Sequence, residues 1–104
     1  MRKAKVYVKG DQAGTLAEII QGKEYIFEYT HGYNGHDVSL TMPVTDTVYK
    51  FDCFPPFFDG LLPEGLQLEG LLKTRKIDRY DYFSQLIAVG NDMVGAVTVK
   101  EIEE

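Results

Sequence analysis

One cysteine, no tryptophan and four prolines in 104 residues remove several options before any motif is read. The lone Cys53 closes no internal disulfide, so the fold depends on its apolar core and suits the reducing cytoplasm. No apolar run approaches the roughly 18–20 residues that cross a bilayer, and Met1-Arg2-Lys3 leads into alternation instead of a signal-peptide core. No membrane partner is expected. Basic charge is in deficit, with 11 Lys+Arg against 16 Asp+Glu and a formal net charge of −5. A nucleic-acid binder normally shows a basic patch or stripe, so autonomous DNA or RNA binding is disfavoured. What is present is 44% hydrophobic and 12% aromatic residues, too much for intrinsic disorder. The length is that of one domain, residues 1–104, read as soluble and intracellular.

Strands fill the N-terminal half. Ala4, Val6 and Val8 alternate with Lys3, Lys5, Tyr7 and Lys9, the period of a half-buried strand. Gly10 to Gly14 reads as a turn-rich connector, Thr15 to Ile20 as a second strand, and Gln21-Gly22-Lys23 as a short turn. In Glu24 to Thr30 the aromatic positions Tyr25, Phe27 and Tyr29 share one face. His31 to His36 is a loop. Val38, Leu40 and Met42 alternate with Asp37, Ser39 and Thr41, which predicts a short strand ended by Pro43. Thr45 to Phe51 is a further extended candidate.

Helices follow. Pro55 and Pro56 can open a short helix through Phe57, Phe58 and Leu61, and Pro63 a second one, Glu64 to about Lys73, carrying Leu66, Leu68, Leu71 and Leu72. Asp78 is the predicted N-cap of a third, with Tyr80, Phe83, Leu86 and Ile87 along its apolar stripe and Gly90 at its stop. Met93 to Ile102 reads as a closing strand. The fold class is therefore α+β: a small, mostly antiparallel sheet, open or curled towards a barrel, with two to three helices in the C-terminal half. No internal repeat or low-complexity tract interrupts it.

Catalytic constellations are weak. His31, His36, Asp37, Asp52 and Cys53 lack the paired short spacings of a metal site, so exposed loop histidines and a buried thiol are the better reading. Asp52 beside Cys53 has the wrong sign to activate a thiolate. Asp59, Glu64 and Glu69 crowd one region, but an acid at a helix start is explained by the macrodipole. Gly90-Asn-Asp-Met-Val-Gly95 has no Lys-Ser/Thr pair after it, so a phosphate cradle is incomplete. The kinase combination of Gly-rich loop, strand Lys and H-x-D loop is missing. No cofactor, metal or catalytic residue is expected.

The stretch Phe54-Pro-Pro-Phe-Phe-Asp-Gly-Leu-Leu-Pro-Glu-Gly65 remains. Some of its rings must serve the core. Five large apolar residues in a rigid, helix-poor loop exceed that need, and exposed patches of this kind mark partner surfaces. Phe57, Phe58, Asp59, Leu61, Leu62, Glu64 and Leu66 are the candidate partner-binding residues. An acidic domain favours a basic partner face.

These residues carry a resemblance. Phe51 to Gly65, then Asp78-Arg79-Tyr80, Phe83 and Ile87-Ala-Val-Gly-Asn-Asp-Met-Val-Gly-Ala-Val97, resemble the N-terminal subdomain of HipA-type toxin kinases. Lys5-Val-Tyr-Val with Gly14-Thr-Leu is similar to that subdomain's first hairpin, and Val38-Ser-Leu-Thr-Met-Pro43 to its S-L-x-M-P strand. The resemblance runs from about Lys3 to Val99 in the family's order. A free-standing copy ending at Glu104 is similar to HipS, the small antitoxin of split HipB–HipS–HipT systems. That resemblance implies two partners: a HipT-like serine/threonine protein kinase toxin, which the antitoxin neutralises, and a HipB-like helix-turn-helix repressor, through which DNA is met only indirectly. In some split systems an aromatic resembling a plug follows Pro-Glu-Gly; Leu66 stands here, which argues against a single-residue plug and for a broader patch. Two rivals remain: a non-inhibitory structural subunit that completes the kinase fold, and a small phosphatase or hydrolase using Asp59, Glu64 or a His.

Overall fold

The computed structural model describes residues 1–91 and 96–102. Its first three strands are β1 (Arg2–Val8), β2 (Asp11–Ile20) and β3 (Glu24–Tyr29), joined as antiparallel hairpins. Period two decides which side chains turn inward. Ala4, Val6 and Val8 of β1 and Tyr25, Phe27 and Tyr29 of β3 are buried, while Lys3, Lys5 and Tyr7 line the opposite, wetter face. The first connector is shorter than the sequence reading has it. Lys9 and Gly10 both take positive φ, 51° and 86°, the pattern of a two-residue hairpin turn, so β2 starts at Asp11. Its register shifts between Val6 and Tyr7 and again between Glu18 and Ile20.

β4 (Val48–Phe51) pairs with β3, and β5 (Val97–Glu101) with β1. The order β4-β3-β2-β1-β5 makes an open, all-antiparallel sheet and not a closed barrel. The predicted closing strand from Met93 begins, among the described residues, at Val97; residues 92–95 lie outside them. Between the edge strands run α1 (Pro56–Asp59), α2 (Gly65–Arg75) and α3 (Tyr82–Val89). Phe58, Phe83 and Leu86 from the helical half meet Ala4, Val6, Leu16, Phe27 and Val99 in one core. The fold class is α+β, as the residue pattern implies.

Three local readings change. Val38 to Met42 is not a strand. It is a tight reversal closed by one bridge between Ser39 and Met42, with the Met42 N–H donating to Ser39 O at 3.0 Å. Alternation fails there because the chain turns back at Leu40 and Thr41, so Val38 and Met42 both enter the core. Asp78 does not cap α3. Its carboxylate accepts from the Tyr80 N–H at 2.8 Å within a local turn, and Asp81 caps instead, accepting from the Ser84 N–H at 3.1 Å. Tyr80 therefore stands outside the helix, 72% exposed.

Gly90 does end α3, but not by a left-handed backbone, since its φ is −56°. A Cβ there would lie 2.1 Å from Val99 O, so glycine permits the helix end to touch the β5 edge. The Val99 N–H donates to Gly90 O at 3.0 Å and so occupies one donor of that exposed edge.

Candidate protein-docking site

The Phe/Pro/Leu-rich stretch is held to the sheet by its own aromatics. Phe54 is buried, its ring 5.4 Å from Tyr25 in an edge-on contact and 5.7 Å from Tyr82. Pro55 follows, also buried, and Pro56 opens α1, where its missing N–H costs nothing. Four successive N–H groups are then satisfied locally: Asp59 and Gly60 donate to Pro55 O and Pro56 O, Leu61 and Leu62 to Phe58 O and Asp59 O, at 3.0–3.1 Å. The result is a compact double turn in which side-chain direction is set residue by residue.

Sorted by position, the seven candidates separate. Phe58 is wholly buried, 6.0 Å from the Phe27 ring, and supports the segment from beneath; it has no surface to offer a partner. Phe57 lies edge-on to Phe58 at 5.2 Å and is half-buried, as are Leu61 and Leu62, which pack on the core rim. Asp59 and Glu64 are exposed. Leu66 is 91% exposed. Just before it Glu64 is extended and Gly65 has φ +60°, a left-handed backbone that glycine takes without a Cβ clash where the chain enters α2.

α2 extends the surface. None of its eleven residues is buried, although it carries Leu66, Leu68, Leu71 and Leu72. Leu68, Leu71 and Leu72 are half covered. Such helices normally gain their stability by burying an apolar face, so α2 is under-packed within this chain. Among the described residues its one side-chain cross-link, Arg79 to Glu69 at 2.5 Å, joins two half-exposed side chains and contributes little. Lys76 ends the helix in the left-handed conformation, φ 55°, its N–H donating to Leu72 O.

Elsewhere the candidates for chemistry lie apart. His31 and His36 are exposed, and among the described residues no three His, Cys, Asp or Glu side chains converge on a common point. Cys53 is exposed, not buried as its residue type suggests, because Phe54 and Pro55 take the inward positions of that bend. No described helix is long and apolar enough to cross a membrane.

Two features were not read from the sequence. Leu40, expected in a strand beside Val38 and Met42, is 96% exposed at the tip of its turn; the flanking Ser39 and Thr41 hydroxyls, 2.9 Å apart, are the turn signal that was available. Arg2 binds buried Glu18, Asp81 and Ser84 together and lies 5.0 Å from the Phe83 ring centre. Burial would raise the Asp81 carboxyl, but hydrogen bonds from Arg2 and Ser84 outweigh it and hold it below the ordinary carboxylate value. Burial pushes the Tyr25 and Tyr29 hydroxyls upward, so both stay protonated and free to donate, Tyr25 to Glu18 and Tyr29 to Met42 O.

Known proteins share this architecture. The sequence model of the HipA N-terminal domain family matches residues 4–100. A solved structure, the N-terminal domain of HipA toxin, superposes with a TM-score of 0.78 at 30% identity, covering 100% of this chain and 95% of that one. An uncharacterized protein of Haemophilus influenzae is 33% identical over 101 residues, 97% of this chain and 93% of its own length.

Proposed function

The chain belongs to the HipA N-terminal domain family, and on that premise we propose that it is a non-enzymatic, HipS-like antitoxin that binds and neutralises a HipT-like serine/threonine protein kinase. The observation that carries this reading is Leu66, 91% exposed on a helix with no buried residue. A fully exposed leucine forgoes about 1.5–3 kcal/mol that burial would return, and a partner groove supplies that burial. Phe57, Leu61 and Leu62 add half-exposed apolar area in the turns that precede it, and Asp59 and Glu64 are exposed carboxylates that can meet basic groups of the partner. The solved relative is named the N-terminal domain of a toxin; docked on a kinase body in trans, this domain can lay the Gly60–Leu68 loop across the catalytic cleft and exclude substrate. A HipB-like helix-turn-helix repressor completes a ternary assembly and makes its DNA contacts, since this chain's −5 charge opposes phosphate.

The test is kinase autophosphorylation with and without the purified domain. Inhibition that weakens about tenfold with Leu66→Ala is expected, the size of a moderate interface residue. Binding without inhibition would replace the antitoxin by a structural subunit. Turnover of phosphorylated kinase by the isolated domain would replace it by a phosphatase.

A further inference from the structure

Resting on the kinase-binding reading above, we propose that α2 is a coupled binding element: in the free domain it opens independently of the sheet, and docking on the kinase-like partner closes it. Its place in the docking site is covalent, because Leu66 stands in its first turn.

A helix in a folded protein draws most of its stability from packing an apolar face, and eleven residues fall short of the roughly 12–15 that hold alone in water. Such packing is scant here. Among the described residues, none of α2 is buried and none belongs to the core or to the side chains packed on its rim. Those rim side chains include Leu61 and Leu62 before the helix and Tyr82 and Ile87 after it. Leu68, Leu71 and Leu72, at i, i+3 and i+4, share one face and are half covered. Leu66 stands on the opposite face, roughly 200° around the axis from Leu68.

The two ends of α2 differ. Lys76 closes the last turn, where Lys73 and Arg75 suit the helix dipole. At the start Glu64 makes no side-chain capping bond, and the first helical bond, Leu68 N–H to Glu64 O, is 3.4 Å long. Gly70 weakens the middle. Its φ is not positive and a Cβ there would meet nothing within 4 Å, so nothing in this chain requires glycine. Glycine inside a helix is destabilising because the open chain keeps more freedom. α3 is the contrast: its eight residues bury Phe83, Gln85 and Leu86, and the Asp81 carboxylate accepts from the Ser84 N–H at 3.1 Å.

Opening α2 therefore uncovers little apolar surface and leaves the core intact, the condition under which a segment opens far more often than the whole fold. The partner changes this from the Leu66 side. With Leu66 seated in its groove, α2 lies between two bodies, its Leu68–Leu72 face towards the domain and its Leu66 face on the kinase-like protein. The closed helix and the bound state are then favoured together.

The experiment follows amide hydrogen exchange in the full chain, wild type and Gly70→Ala, free and saturated with the kinase-like protein. In the free wild type the Leu71 and Leu72 amides are expected to exchange at least about a hundredfold faster than that of Leu86 in α3. Gly70→Ala should slow α2 about two- to fivefold and leave α3 and β1 unchanged. Saturation with the partner should slow α2 at least about tenfold. If free α2 is as protected as α3, or slows with Gly70→Ala only in step with α3 and β1, it opens with the whole fold and the proposal is overturned. Binding that leaves α2 exchange unchanged overturns it too, while the antitoxin reading stands on its inhibition assay. Absence of binding removes both.

Discussion

The Arg2 guanidinium donates to both carboxylate oxygens of Asp81, at 2.9 Å and 3.3 Å, across 79 positions of sequence. The pair ties the start of β1 to the N-cap of α3, and the same guanidinium reaches Glu18 of β2 and the Ser84 hydroxyl. Glu18 is 5% exposed and also accepts from Tyr25 at 3.0 Å, so no buried side-chain polar atom of this group is left without a partner. One cation therefore ties α3 to the sheet, beside the apolar contacts of the core.

Asp81→Asn keeps an acceptor for the Ser84 N–H and removes the charge opposite Arg2. At pH 7 urea denaturation should show a loss of about 1 kcal/mol, moderated because both partners retain some solvent contact. Asp81 sits below its ordinary carboxylate value, so its contribution is complete above roughly pH 4 and fades as pH falls through the lower folded value. The stability gap between the wild type and Asp81→Asn should therefore narrow as pH falls below about 4. A gap that stays constant with pH would mean that the charge pair is idle.

Tyr29→Phe removes the hydroxyl that spans Val38 N–H and Met42 O at a buried position. Two backbone groups lose their partner while the ring stays, so destabilisation by about 1–3 kcal/mol is expected. Hydrogen exchange at the Val38 amide should quicken more than at Val6 in β1. Equal protection in the two proteins would show the loop to be held by other contacts.

Gly90→Ala places a methyl group 2.1 Å from the Val99 carbonyl oxygen. Backbone cannot yield as a side-chain tip can, so α3 and β5 must part, at a cost of about 1–3 kcal/mol. Thermal melts would show a lowered midpoint, and an Asn at the same position should fare no better. Rescue by Asn would restore the left-handed cap explanation that the φ of −56° contradicts.

Much of the architecture was legible because it is local. Alternation in β1 and β3 identifies the inward residues by backbone geometry alone, and prolines and glycines mark the turns by what φ they allow. The resemblance to HipA-type N-terminal subdomains, carried by the Phe51 to Gly65 run and the Ile87 to Val97 ending, led to the right family for the same reason: short motifs in fixed order survive as strings. The alternation in Val38 to Met42 misled because two patterns, a strand and a clamped reversal, share one string. Tyr29, nine residues upstream, bonds both ends of the reversal and so favours it over the strand.

Sequence by itself determined the α+β class, the inward face of the first strands and the segment that stands out as surplus to the core. Tertiary structure alone decided that Phe58 goes in while Leu66 and Leu40 go out, that Asp81 and not Asp78 caps α3, and that Arg2 locks helix to sheet. Periodicity is a property of neighbours along a chain, whereas burial and ion pairing depend on which distant residues arrive opposite, and that is settled only when the layers close.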